Sequence, residues 1–316
     1  MNIRHTLTAM TAALAIFASI PAHAQIIVTS VASEVEGTVT AISTNLNGSV
    51  SMTVMGITVN VPVGTPVNTP TAQLTFAQLV STTPLPNRTQ PGFIGGTAIV
   101  TGTSDARGVL TADSVFVEPA ENVILGIVTA NTASGISVNN IPVVFIQDAR
   151  MLAEPVKDVN GIEIIRSSIP VGTGASVEGY YSNGIFNAFL MEAEQGTPVL
   201  ATPQVAITRA TARERTPNTQ RGDEYEIRGS TTMTHVAPGV TTQTIRVIRV
   251  DNGVETLLGT ATATLDVTGI ALWRLRGATA PTADPVRGTA PTLVKAINTS
   301  AGANNAFTTS PVNVIQ

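Results

Sequence analysis

No cysteine occurs among the 316 residues. That absence excludes a disulfide framework, a thiol nucleophile, cysteine-ligated zinc and a lipid-modified N-terminal cysteine. Lysine is nearly missing too, present only as Lys157 and Lys295, so positive charge is carried by arginine. Aromatic residues make up 4% of the chain, with one tryptophan and three tyrosines. A carbohydrate site built on stacked rings has few residues to draw on. Of three histidines, His5 and His23 lie in the first 24 residues. Removal of that segment leaves His235 alone, which excludes multi-histidine metal sites and gives a Ser-His-Asp triad a single choice of base. No G-x-S-x-G elbow, P-loop or dinucleotide fingerprint occurs. Nothing calls for a cofactor, and no catalytic set is expected.

What is present begins with an export signature. Arg4 and His5 precede an apolar run from Leu7 to Ile20, Pro21 breaks it, and Ala22-His23-Ala24 sets small residues where a signal peptidase reads. The run is shorter than the ~20 residues that a transmembrane helix needs. Residues 1–24 therefore read as a cleaved signal peptide, and no later segment reads as a membrane span. The exported chain, 25–316, would be periplasmic or extracellular. Its charge is uneven: residues 25–200 hold 5 basic and 13 acidic side chains, and residues 201–316 hold 11 and 8. The acidic part argues against nucleic acid as a partner. The asymmetry permits attraction between neighbouring copies, so self-association is open.

Apolar residues alternate with Thr, Ser and Asn almost throughout. Ile57-Thr58-Val59-Asn60-Val61 and Thr244-Ile245-Arg246-Val247-Ile248-Arg249-Val250 have period two with β-branched residues, the pattern of half-buried strands. Asn47-Gly48, Asn160-Gly161, Asn183-Gly184 and Asn252-Gly253 supply tight hairpin turns. One short helix is expected over Ala72–Val80, with Thr69 as its cap and Pro70 in the first turn.

An internal repeat divides the first two hundred residues. Val35-Glu36-Gly37-Thr38-Val39-Thr40-Ala41 matches Ile124-Leu125-Gly126-Ile127-Val128-Thr129-Ala130, and Val100-Thr101-Gly102 matches Val177-Glu178-Gly179. Gly108-Val109-Leu110-Thr111-Ala112 matches Gly184-Ile185-Phe186-Asn187-Ala188. The offset shrinks along the chain, so the first unit holds the longer internal connection, within Thr65–Pro91. Two small β-barrels over 25–119 and 120–196 fit these units better than a solenoid. The pattern G-x-V-T-A-I, a strand pair, V-x-G, then G-x-L-T-A-D-S-V resembles the bacterial domain of unknown function 5666. That resemblance implies secreted, tandem barrels of the OB type over roughly residues 33–194, and brings no catalytic residues with it. After a linker at 197–204, about seven candidate strands over 205–316 suit an immunoglobulin-like sandwich. Leu258-Gly259-Thr260-Ala261, then Gly269, then Trp273, resembles bacterial Ig-like repeats of surface proteins. The expected fold is thus all-β, with two OB-like barrels and a sandwich.

Few residues stand out as sites. Tyr180-Tyr181 lies beside the Asn183-Gly184 hairpin, where one ring must point outward, and is the candidate ligand platform. Arg213, Arg215, Arg221 and Arg228 form the most basic stretch, a candidate patch for anionic glycans or a partner molecule. Trp273 reads as a core residue, Asp158-Val159-Asn160-Gly161 as a tight turn rather than a calcium loop, Arg221-Gly222-Asp223 as a chance tripeptide, and His235 as a solvated loop residue. The paired carboxylates Glu34/Glu36 and Glu192/Glu194 read as solvated strand positions. The expectation is an exported, non-catalytic binding or structural protein of the bacterial cell envelope. The alternatives are a carbohydrate-binding module and, third, a hydrolase built on a carboxylate of raised pKa.

Overall fold

The computed structural model describes residues 30–214, 222–233, 235–251, 253–266, 269–279 and 290–315. The expected signal peptide, Arg215 and Arg221 lie outside them. Strands dominate, and among the described residues no helix is long and apolar enough to cross a membrane.

The first module runs β1 (Val31–Thr44), β2 (Val50–Val54), β3 (Ile57–Val61), β4 (Val67–Asn68), β5 (Gln73–Leu74), α1 (Phe76–Leu79), β6 (Thr97–Ser104) and β7 (Leu110–Glu118). β1 bends, so that its first half pairs β6 and its second half pairs β2. β3 closes the ring by parallel pairing with β7, Val59 opposite Leu110. The cyclic order β1-β2-β3-β7-β6 is a five-stranded OB-like barrel. The second module repeats it with β8 (Asn122–Thr132), β9 (Gly135–Val138), β10 (Ile141–Phe145), β11 (Lys157–Asp158), β12 (Gly174–Ser182) and β13 (Ile185–Ala193). Here β10 runs parallel to β13, Val143 opposite Phe186. The connection from β3 to β6 spans 62–96, and its counterpart from β10 to β12 spans 146–173, which accounts for the larger part of the shrinking offset.

The repeated glycines have steric causes. A Cβ on Gly37 would lie 2.1 Å from the Met55 side chain, and one on Gly126 would lie 2.2 Å from that of Asn139. Both glycines sit beneath the turn residue that joins the next two strands. The helix starts later than the sequence implies. Thr69 Oγ1 accepts from Ala72 N at 3.1 Å and closes a turn, and Gln73-Leu74 pairs with Val67-Asn68. Thr75 is the cap, in a reciprocal box with Gln78 that leaves only Phe76–Leu79 helical.

The barrels are not independent. Residues 81–88 of the first lie against the second, and Ile146, Met151, Tyr180 and Phe189 share one core with Leu79, Leu85 and Phe93. Tyr180 Oη donates to Pro86 O at 2.6 Å, and Arg150 Nη1 donates to Thr83 O at 2.8 Å. Asn87 Nδ2 donates to the fully buried Asn187 at 2.6 Å. The linker expected at 197–204 is docked as well. Thr197 N donates to Ser168 Oγ at 2.7 Å, and the Gln204 side chain bonds the backbone of Glu163 and Val199.

The third module comprises β14 (Val205–Arg213), β15 (Glu224–Thr232), β16 (Thr242–Asp251), β17 (Val254–Leu265), β18 (Ile270–Ala278), β19 (Leu293–Asn298), β20 (Phe307–Pro311) and β21 (Asn313–Ile315). They form one hydrogen-bonded sheet, in the order β20-β19-β16-β17-β18-β15-β14-β21, folded around Ile227, Ile245, Val247, Trp273 and Val294. Trp273 is 3% exposed, and its Nε1 donates to Ser230 O at 3.1 Å. A Cβ on Gly229 would lie 2.5 Å from that indole, so the ring packs against bare backbone.

Candidate functional site

The tyrosine pair divides as the strand geometry requires, but not as a two-ring platform. Tyr180 is 2% exposed and cements the barrel junction, whereas Tyr181 is 55% exposed. Burial pushes the Tyr180 phenol up to about 12, so it remains a proton donor at any ordinary pH. Tyr180 must therefore be withdrawn as a ligand residue, because its ring is spent in a core that the sequence does not reveal.

The arginines gather on the outer face of β14, β15 and β18. Inward residues Ala210, Ala212, Ile227 and Trp273 face the core, which sends their neighbours outward. Arg209 stands opposite Arg228, and Arg228 opposite Arg274. Three guanidinium side chains thus form a row across three adjacent strands. In the next row Thr211, Glu226 and Arg276 align. Glu226 serves three cations: Arg274 Nη2 at 2.8 Å, Arg276 Nε at 2.6 Å, and Arg228. Those hydrogen bonds, led by that of Arg274, hold its carboxyl down to about 2. Among the described residues Arg209 makes no ion pair. Arg213 stands opposite Glu224 at the strand end, where a cleft of about 560 Å³ opens between Arg213, Glu226 and Arg276. The face holds five arginines against two glutamates. Of the four arginines singled out from the sequence, Arg213 and Arg228 lie on it. Arg209, Arg274 and Arg276 were missed, although Trp273-Arg274-Leu275-Arg276 has the in-out alternation that would have placed them.

A second cleft, of about 830 Å³, separates the second barrel from the third module. Lys157, Glu163 and Gln204 line one wall, and the edge strand β20 with Phe307 lines the other. Lys295 Nζ lies 4.7 Å from the centre of the Phe307 ring.

The acidic groups sit elsewhere. Glu118 ends β7 at the barrel junction and is 7% exposed. Burial, reinforced by Glu121, Glu178 and Glu36, pushes its carboxyl up to about 7. Burial also raises Glu178, with help from Glu192. Neither residue lines the two clefts above. The remaining sequence candidates are structural. Asp158 Oδ1 accepts from Asn160 N at 2.9 Å and from Ile162 N at 2.8 Å, a closed turn. Asp223 is buried. His235 is half-buried rather than solvated, and burial lowers its pKa. Glu34, Glu36 and Glu192 are exposed on their strands, and Glu194 is exposed just past the end of β13.

The chain matches no known protein family model and no curated protein. The arginine face must be judged on its own geometry.

Proposed function

We propose that this is an exported, non-catalytic binding and structural protein of the bacterial cell envelope. Its contact surface is the outer face of β14, β15 and β18, and its partner carries negative charge. The row Arg209–Arg228–Arg274 carries the reading. Like charges directly opposite on neighbouring strands destabilise a sheet, and one shared carboxylate offsets only part of that repulsion. An anionic partner relieves the rest. Arginine suits the task, because its planar fork holds carboxylate, sulfate or phosphate with two hydrogen bonds. Export rests on residues 1–24, and the family resemblance rests on Gly37, Val39, Gly102 and Leu110; both belong to this proposal. So does an immunoglobulin-type third module. Its support is the pairing of β14–β15, β15–β18, β16–β19 and β19–β20, with β21 parallel to β14.

A titration with dextran sulfate against neutral dextran tests the reading. The sulfated polymer is expected to bind saturably and to weaken steeply with salt, and the neutral one not to bind. The double variant Arg209→Glu, Arg274→Glu should lose about tenfold or more in affinity. Equal affinity of native and variant chains would overturn the proposal.

A further inference from the structure

Three outer positions differ between the two barrels in a way the fold does not require. β1 presents Glu34, Glu36 and Thr38 to solvent. By the repeat that aligns Gly37 with Gly126, the matching residues of β8 are Val123, Leu125 and Ile127. They are 57%, 78% and 52% exposed. The first barrel closes with two carboxylates and a threonine at these positions, so closure does not explain the aliphatic stripe. Contiguous exposed apolar surface of this kind marks contact.

The stripe has an acidic margin. Glu178 stands opposite Val123, while Ser176 lies between Leu125 and Glu192 in the adjoining register. Lys157, on the far side of Glu192, pairs with Glu154. The sandwich carries the complement. Leu272, 44% exposed, precedes Arg274 and Arg276 on the same outward side of β18, beside Arg228 and Arg209. Aliphatic and acidic on one patch thus match aliphatic and basic on the other.

We infer that the β8–β12 face of one copy docks on the arginine face of a second copy, head to tail. This rests on the reading above that the arginine face is the contact surface, and it names the partner. The two patches are different surfaces, so the contact is heterologous and propagates into rings or open chains.

Sedimentation velocity on the purified full chain, from about 1 to about 100 µM, tests it. The average mass should rise with concentration at low salt and return to monomer at about 0.5 M salt, where charge attraction is short-ranged. Leu125→Glu and Arg209→Glu should each weaken association about tenfold or more. Both positions are exposed strand sites, and Leu125→Ser serves if glutamate disturbs the strand. A mixture of the two variants should stop at dimers, because each keeps one intact face. A native chain that stays monomeric at low salt overturns the inference. So does assembly that survives Arg209→Glu but not Leu125→Glu, since the stripe would then be pairing with itself. A monomer that still binds dextran sulfate sinks the inference and leaves the proposed function standing. Head-to-tail assembly without dextran sulfate binding supports the inference and removes the glycan as partner.

Discussion

Tyr180→Ala is expected to lower the stability of the folded chain by about 3–5 kcal/mol and to split one unfolding transition into two. The ring is among the largest fully buried side chains and belongs to the core that joins the two barrels. Truncation opens a cavity between Leu79, Leu85 and Phe93 on one side and Phe189 on the other, and it leaves Pro86 O without its donor. Neither barrel's own ring of hydrogen bonds passes through the hydroxyl, so each barrel should survive while their coupling fails. Tyr180→Phe separates the two contributions. It keeps the ring and removes only the 2.6 Å hydrogen bond, and should cost about 1 kcal/mol with a single transition retained. Urea denaturation read by calorimetry and near-ultraviolet circular dichroism distinguishes these outcomes. A Tyr180→Ala chain as stable as the native one would show that the junction contributes little.

Stability should also fall as pH rises from about 4.5 to about 7, because of Glu118. Its folded-state pKa of about 7 lies above the unfolded value of 4.5. The folded chain therefore holds the proton more tightly, and this group's contribution is complete below the unfolded value and lost as pH rises through the folded one. Glu178, raised by its own burial, acts with the same sign. Glu118→Gln has no proton to lose and should be more stable than the native chain at pH 8 by roughly 2 kcal/mol, allowing for water that reaches the group. At pH 4 the two should be nearly equal. Thermal melts of both proteins across pH 4–8 measure this. Parallel pH profiles would show that Glu118 ionises freely in the folded chain.

Much of the scaffold was legible because it is local. Period-two runs over 57–61 and 244–250 became β3 and β16, and the Asn183-Gly184 pair turned with φ of +52° and +82°. The Gly37/Gly126 and Gly102/Gly179 matches located the two barrels. The contacts that fix function are long-range and left no local trace. Nothing near Tyr180 indicates that Pro86, 94 residues earlier, accepts its hydroxyl. The arginine row depends on strand register, which sets Arg228 between Arg209 and Arg274 although chain distance separates them. The helix start was misread for a local reason: Thr69 and Thr75 both suit a cap, and only Thr75 has a glutamine three residues on to complete the box.

The central claim is that the outer face of β14, β15 and β18 makes the functional contact. Arginine-selective labelling read by mass spectrometry, with dextran sulfate bound or the chain assembled, addresses it most directly. Arg209, Arg274 and Arg276 should be shielded, while Arg107, whose side chain is 84% exposed on the first barrel, should label as in the free chain. Unchanged labelling of Arg209 and Arg274 in a chain that is demonstrably bound or assembled would contradict the account.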